Sequence, residues 1–170
     1  MFKFFGLFLC LVLFISCGYK PTSIYTKKVL GSKIYADIEV SLEDPENSVL
    51  IRDAVNEAII NKFRAELVSK EKATSKLFVK LNSVSFSPLE YDRNGYVVAY
   101  KTSVVLLTRY VDQSLKEKSI RSFGDYDFSI ESNSIISDIK RFDAIKRASQ
   151  KALDALISQI SIKGVNYDRR

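Results

Sequence analysis

The spacing of apolar and polar residues along the chain predicts alternating strands and helices. Residues 33–40 alternate apolar with polar side chains, which is typical of a strand with one buried face. From Ser48 to Ser69 the apolar residues recur at every fourth position, and turn and capping residues precede them. We therefore expect a long amphipathic helix there. Its apolar stripe consists of Ile51, Val55, Ile59, Phe63 and Leu67.

The next segment predicts a long strand that turns back in a hairpin. Its apolar positions alternate from Leu77 and then change phase at Val84, as a bulge or a twist would require. Pro88 either ends this strand or lies at a sheet edge, because proline cannot donate to a ladder. Asn94-Gly95 stands between two strand-like runs, which is a strong signal for a hairpin.

Two more strands and a second long helix complete the pattern. Residues 96–111 are apolar on both sides in their middle, which favours a central strand, and residues 117–130 predict a fourth strand with a possible bulge at Gly124. Ser132-Asn133-Ser134 are candidate caps of a final helix that Gly164 would end. The expected apolar stripe of that helix is Ile135, Ile139, Phe142, Ile145, Leu153, Leu156 and Ile160.

This order, β-α-β-β-β-α, predicts the α/β class. We expect a two-layer sandwich in which two long amphipathic helices pack on one face of a four-stranded sheet. The predicted domain spans residues 33–163, and residues 164–170 form a C-terminal tail.

The N-terminal segment has the layout of an export signal. Lys3 precedes an apolar run of about a dozen residues, which would cover roughly 18 Å of helix, too short for a hydrocarbon core of roughly 30 Å. The run ends in Ser16-Cys17, which resembles a bacterial lipobox, although Phe14 stands where most lipoboxes carry an aliphatic residue. We expect a signal peptide over residues 1–16 and lipid attachment at Cys17.

An ordinary signal peptide that happens to contain a cysteine is the alternative. It would leave the exported chain with one unpaired thiol, because Cys10 lies inside the discarded run. With acyl chains on Cys17 the protein would stay on a bilayer. We expect residues 17–32 to form a lipidated polar linker, and Gly18 after the cysteine favours the outer membrane.

The charge balance is moderately basic. The formal net charge is +6, and it becomes +5 when Lys3 is removed with the signal. Basic proteins favour anionic partners, and export directs this one away from nucleic acid and towards anionic lipid or glycolipid. The alternative is that the lysines only solvate the surface, and this is also our expectation for Lys140, Arg147 and Lys151, which fall opposite the apolar stripe of the final helix.

Enzyme chemistry has little support in the sequence. The chain contains no histidine, which removes the common nucleophilic triads and the usual zinc sites. Asp125 and Asp127 share one face of a strand, as a glycosidase pair or a calcium site would need, but no surrounding loop supports either. We expect a solvated strand face there, no catalytic residue, no metal and no cofactor.

Several features together resemble the LptE family of lipopolysaccharide-assembly lipoproteins. They are the opening Cys17-Gly18-Tyr19-Lys20 after the lipobox, the order of elements, and Arg93-Asn94-Gly95 at a hairpin tip with Tyr100 behind it. The resemblance implies a non-enzymatic lipoprotein of the outer membrane. Such a protein would be the plug and assembly partner of the LptD β-barrel, and it would interact with lipopolysaccharide.

The same resemblance implies a phosphate-binding role for Arg93, whose guanidinium can fork onto phosphate oxygens. The alternative is an ordinary solvated turn residue. The second basic position of the family falls in residues 131–134, which contain no base here, so Lys140 and Arg141 are the nearest substitutes. A competing hypothesis for the whole chain is a structural accessory lipoprotein of another envelope machine.

Overall fold

A mixed five-stranded sheet forms one layer of the protein, and three helices form the other. The computed structural model describes residues 22–39 and 45–167. The elements are α1 Thr22–Leu30, β1 Lys33–Glu39, α2 Pro45–Asn61, β2 Glu66–Leu67, β3 Ser75–Tyr91, β4 Val97–Val111, β5 Glu117–Ser129 and α3 Asp138–Tyr167.

The strands lie in the order β2-β1-β3-β4-β5. β1 pairs in parallel with β2 and β3, whereas β3, β4 and β5 form an antiparallel meander. One face of the sheet is buried under the helices and contributes Ile34, Leu77, Leu106 and Tyr110 to the core. The predicted α/β class is therefore confirmed, but within the described residues the sheet has five strands rather than four, and there are three helices rather than two.

The additional helix is α1, which lies in the segment expected to be a polar linker. Its last turn buries Val29 and Leu30 completely, and the Thr26 hydroxyl lies 2.9 Å from the Ser161 hydroxyl of α3. Only a few core-facing residues are needed to dock so short a helix, so its sequence carries little amphipathic signal.

The additional strand is β2, and it results from an early end to α2. The helix was expected to continue to Ser69 but ends at Asn61, and Arg64 then adopts a positive φ of 50°. The chain reverses there, so Leu67 pairs with Ile34 of β1 instead of extending the apolar stripe. Ile51, Val55, Ile59 and Phe63 are buried as predicted.

The long hairpin follows the prediction closely. The ladder between β3 and β4 shifts register between Leu81 and Ser83, which confirms the expected bulge. Pairing between β1 and β3 ends at Lys80, so among the described residues Pro88 lies on an edge, the second of the two predicted alternatives. The bulge expected at Gly124 is wrong, since Gly124 pairs regularly with Val104.

Gly124 and Gly164 instead mark places where backbones approach closely. A Cβ at Gly124 would lie 2.1 Å from the carbonyl oxygen of Ala148 in α3, and one at Gly164 would lie 2.3 Å from the carbonyl oxygen of Tyr25 in α1. Gly164 does not end α3, which continues to Tyr167. Each glycine is the position at which two layers or two helices meet.

The start of α3 also differs from the prediction. The helix begins at Asp138, and the Ser137 hydroxyl accepts a hydrogen bond from the Lys140 amide at 3.4 Å, so Ser137 and not residues 132–134 provides the cap. Ile135 precedes the helix, and both Ile135 and Ile139 are exposed. The rest of the predicted stripe faces inward.

Candidate functional site

The tip of the β3–β4 hairpin and the start of α3 lie at the same end of the molecule. Residues 92–96 form the hairpin turn, and residues 130–137 join β5 to α3. The two segments are tied together because the Ser132 hydroxyl donates a hydrogen bond to the Asp92 carboxylate. We call residues 89–96 together with residues 130–141 the distal end.

Asp92 organises the turn that presents Arg93. Its carboxylate accepts hydrogen bonds from the amides of Asn94 and Tyr96, each at 2.9 Å, and Gly95 completes the turn with a φ of 83°. The hydrogen bond from Ser132 and those from the backbone amides hold the pKa of Asp92 below its ordinary value. Asp92 therefore stays ionised at neutral pH, and its carboxylate accepts the hydrogen bonds that hold the turn.

The distal end has three basic side chains, and their contacts within the protein differ. Arg93 is exposed, and no carboxylate of the described residues lies within 4.0 Å of its guanidinium. The Lys140 ammonium donates to the Ser129 carbonyl at 3.0 Å, and the Arg141 guanidinium lies 5.4 Å from the centre of the Phe86 ring. Lys140 and Arg141 thus stand on the first turn of α3, beside the loop that joins β5 to this helix.

Large apolar side chains are exposed at the same end. Ile135 is 90% exposed and Ile139 is 82% exposed, although the sequence pattern placed both in the core. Leu89, Tyr91 and Tyr96 are also about half exposed around the hairpin tip. The distal end therefore combines apolar side chains with guanidinium and ammonium groups, a surface suited to an anionic amphiphile.

The face of the sheet opposite the helices is open among the described residues. It contains a depression of about 750 Å³ whose lining includes Phe78, Leu107, Arg109 and Arg121. Arg109 lies over the Phe78 ring at 5.1 Å and forms an ion pair with Glu117 at 3.3 Å, while Arg121 lies over the Phe123 ring at 5.3 Å.

Asp125 and Asp127 lie on the open face, and both are exposed. Their shared face was predicted correctly. Within the part of the chain that the structure describes, no group of three or more acidic or cysteine side chains could hold a metal ion. The pair thus has the setting expected of a solvated strand face.

The outer surface of α3 is exposed as predicted at Lys140, Arg147 and Lys151. Arg147 donates to Asp143 at 2.7 Å, and both Arg147 and Lys151 lie within 6 Å of the Tyr126 ring centre. Arg147 and Lys151 thus contact neighbouring side chains of the same surface.

Cys17, the predicted lipid attachment residue, lies outside the described residues, five positions before the start of α1 at Thr22. Among the helices described, none combines the length and the apolar character that crossing a bilayer requires.

Comparison with known proteins gives one family and a set of similar folds. The model of the LptE lipopolysaccharide-assembly family matches residues 35–160. No curated protein matches the chain significantly.

Solved lipoprotein structures share the fold at low sequence identity. A lipoprotein of Caulobacter crescentus is 10% identical with a TM-score of 0.55, over 85% of this chain and 96% of that one. Rare lipoprotein B of Shewanella oneidensis is 13% identical with a TM-score of 0.53, over 80% and 98%. A protein of Xanthomonas campestris is 10% identical with a TM-score of 0.52, over 82% and 88%.

Proposed function

Because the chain belongs to the LptE family of lipopolysaccharide-assembly proteins, we propose that it is a non-enzymatic outer-membrane lipoprotein that acts as the plug and assembly partner of the LptD β-barrel. The anchor in this proposal is Cys17, exposed by removal of a signal peptide over residues 1–16. The ligand is lipopolysaccharide, bound at the distal end.

The length of the antiparallel meander supports a position in which the protein reaches from one leaflet of the membrane to the other. β4 has fifteen residues and would extend about 50 Å, which exceeds the roughly 40–45 Å thickness of a whole bilayer. The hairpin tip with Arg93 lies at one end of β4, and the C-terminus of α1 contacts the other end through Gln113. A chain anchored near α1 in one leaflet can therefore place Arg93 at the level of the opposite leaflet.

The chemistry of the distal end supports lipopolysaccharide as the ligand, and this surface carries the proposal. Arg93 would meet a phosphate group through charge-assisted hydrogen bonds, with Lys140 and Arg141 close to the second phosphate. Ile135 and Ile139 offer an apolar surface for acyl chains beside these bases. The bases alone would bind any anion, and the apolar side chains beside them favour an amphiphile.

The partner is tested by co-purification. The affinity-tagged chain, extracted with a mild detergent from cells that express the candidate barrel, should retain LptD in stoichiometric amount. Recovery of the chain without a barrel, or with the barrel-free components of another envelope machine, would contradict the assignment and favour the accessory role.

The ligand is tested with matched charge reversals. We expect Arg93→Glu to weaken binding of purified lipopolysaccharide about tenfold, the usual scale for loss of a charge-assisted hydrogen bond. Arg52→Glu, on the exposed side of α2, makes the same charge change far from the tip and should alter binding less than about twofold. Equal losses in the two variants would show that net charge alone accounts for binding.

The anchor is tested by mass spectrometry of the N-terminal peptide. The proposal requires a diacylglyceryl group on Cys17 and no residue before it. An unmodified thiol at that position would refute the anchor while leaving the binding experiments valid.

A further inference from the structure

The end of the molecule opposite Arg93 is formed by three segments that meet at Gly31. A Cβ at Gly31 would lie 2.5 Å from the Thr74 hydroxyl and 3.3 Å from the Gln113 side chain, so these two side chains pack closely against the Gly31 backbone. Thr74 also donates to the Leu30 carbonyl, and Gln113 donates to the Lys27 carbonyl at 2.9 Å. We call residues 27–33, 66–74 and 112–118 the proximal end.

The exposed charges of the proximal end are predominantly positive. Two of its four acids are engaged, since Asp112 is buried against Lys118 at 2.9 Å and Glu117 pairs with Arg109. Glu66, Glu71 and the paired Glu117 are exposed. The exposed lysines are Lys27, Lys28, Lys33, Lys70, Lys72 and Lys116.

The β4–β5 turn adds an apolar side chain to this basic surface. Asp112 organises the turn as Asp92 organises the hairpin tip, with its carboxylate accepting from the amides of Ser114 and Lys116 at 2.8 and 3.1 Å. The position that Gly95 fills in the distal turn is filled here by Leu115, which has a φ of 58° and is 84% exposed.

Leu115 is therefore unfavourable for folding in two respects. A side chain in the left-handed region is strained, and this one gains no burial in return. A residue that strains its turn and stays largely exposed among the described residues fits a role outside the folded core. An exposed leucine on a turn ringed by lysines has the composition of a membrane-surface contact.

We propose that the proximal end rests on a surface of anionic phospholipid, with Leu115 inserted among the headgroups and the exposed lysines facing the lipid phosphates. The inference takes its orientation from the proposed anchor at Cys17. Four residues lie between Cys17 and the start of α1 at Thr22, and the five Cα–Cα steps span at most about 18 Å. α1 adds about 14 Å along its axis, so the anchor lies within about 32 Å of Gly31.

The positive charge of the proximal end favours anionic lipid as its binding partner. Each lysine near an anionic bilayer strengthens binding about fivefold, and the effect disappears with salt. The acyl chains proposed on Cys17 would hold the protein on the bilayer without fixing its orientation, and a basic and apolar surface adds the second contact that fixes it.

The test compares two equivalent turn positions in the processed full-length protein. Ser114→Cys and Asn94→Cys occupy the same place in the proximal and distal turns, and each amide bonds to the aspartate of its turn. Each variant is labelled with an environment-sensitive fluorophore and reconstituted in vesicles that carry a lipid-borne quencher. The vesicles are phosphatidylcholine alone, or phosphatidylcholine with about a third phosphatidylglycerol.

We expect the label at position 114 to be quenched in the phosphatidylglycerol vesicles, to lose at least half of that quenching in 0.5 M salt on the scale of Debye screening, and to be little quenched in neutral vesicles. The label at position 94 should be unaffected throughout. Equal quenching at both positions, equal quenching in both vesicles, or none at position 114 would overturn the proposal.

Two further variants separate the lysines from the leucine and the surface from the anchor. Lys27→Gln combined with Lys116→Gln should reduce the quenching at position 114, and Leu115→Gly should do so without changing charge. Quenching that persists when Cys17 is found unmodified refutes only the anchor. A modified Cys17 without quenching refutes only the lipid contact.

Discussion

Replacing Gly124 by alanine tests how closely α3 lies on the sheet. The added Cβ would stand 2.1 Å from the Ala148 carbonyl oxygen and 2.3 Å from the Ala152 amide nitrogen. Both atoms belong to the backbone of a thirty-residue helix, so a rotamer change cannot relieve the contact. To restore normal contact distances, α3 and β5 must separate by about 1 Å.

That separation weakens the packing of the buried side chains that α3 contributes to the core, among them Ile145, Leu153 and Leu156. A gap of about 0.5–1 Å forfeits roughly a quarter to a half of the dispersion attraction across an interface. We expect Gly124→Ala to lower the free energy of unfolding by about 3 kcal/mol, the upper end of the usual cost of overpacking. For a chain of this size, Tm should fall by about 6–12 °C.

Thermal and urea unfolding followed by circular dichroism measure this loss, and Gly95→Ala provides the control. No atom lies within 4 Å of a Cβ at Gly95, so only its φ of 83° opposes the change, at a cost of about 1–2 kcal/mol. If the free energy of unfolding of Gly124→Ala lay within about 1 kcal/mol of that of the parent protein, the close approach of α3 to β5 would be refuted.

Three further predictions follow from single positions. Gly164→Ala should destabilise the protein in thermal unfolding, although alanine has a helix propensity about 1 kcal/mol better than glycine, because the new Cβ meets the Tyr25 carbonyl oxygen at 2.3 Å; a gain in Tm would contradict that contact. Leu115→Gly should raise the free energy of unfolding by about 0.5 kcal/mol and Tm by about 1–2 °C, because relief of the left-handed strain exceeds the added entropy of the unfolded chain. A fall in Tm would show that the leucine side chain does pack against the protein. NMR titration should place the pKa of Asp92 below its ordinary value, and Ser132→Ala should raise that pKa. Because the folded-state pKa is the lower one, the stabilising hydrogen bond from Ser132 is present at neutral pH and is lost as the pH falls through the folded-state pKa. An unchanged pKa in the variant would exclude this hydrogen bond as the cause of the shift.

Periodicity predicted the parts of the fold in which the apolar positions continue for many residues. The bulge before Val84, the hairpin at Asn94-Gly95 and the inward face of α3 from Phe142 onwards all carry a signal that several residues share. α1 and β2 lacked such a signal, because tertiary contacts place them. Only the packing of Leu30 against the core and the pairing of Leu67 with Ile34 make these elements recognisable.

The exposed isoleucines of the distal end were assigned to the core for a physical reason. Ile139 continues the spacing of the α3 stripe into the first turn of the helix, and Ile135 lies before the helix begins. Periodicity reports which side of a helix a residue occupies, but not whether anything packs there. The family resemblance pointed to Arg93 as a candidate phosphate-binding residue, whereas periodicity missed the exposed apolar side chains of the distal end.

The two Asp-organised turns explain why the ends of this molecule differ in chemistry while sharing a backbone. Residues 92–96 and 112–116 have the same hydrogen bonds and the same left-handed fourth position, so folding alone would place glycine at both. Gly95 satisfies that requirement, and Leu115 does not. Because the two backbones are alike, the strain and exposure of the leucine fit a contact of the proximal turn outside the fold. If that is the surface of a bilayer, Leu115→Gly should stabilise the protein and loosen its lipid contact in the same preparation.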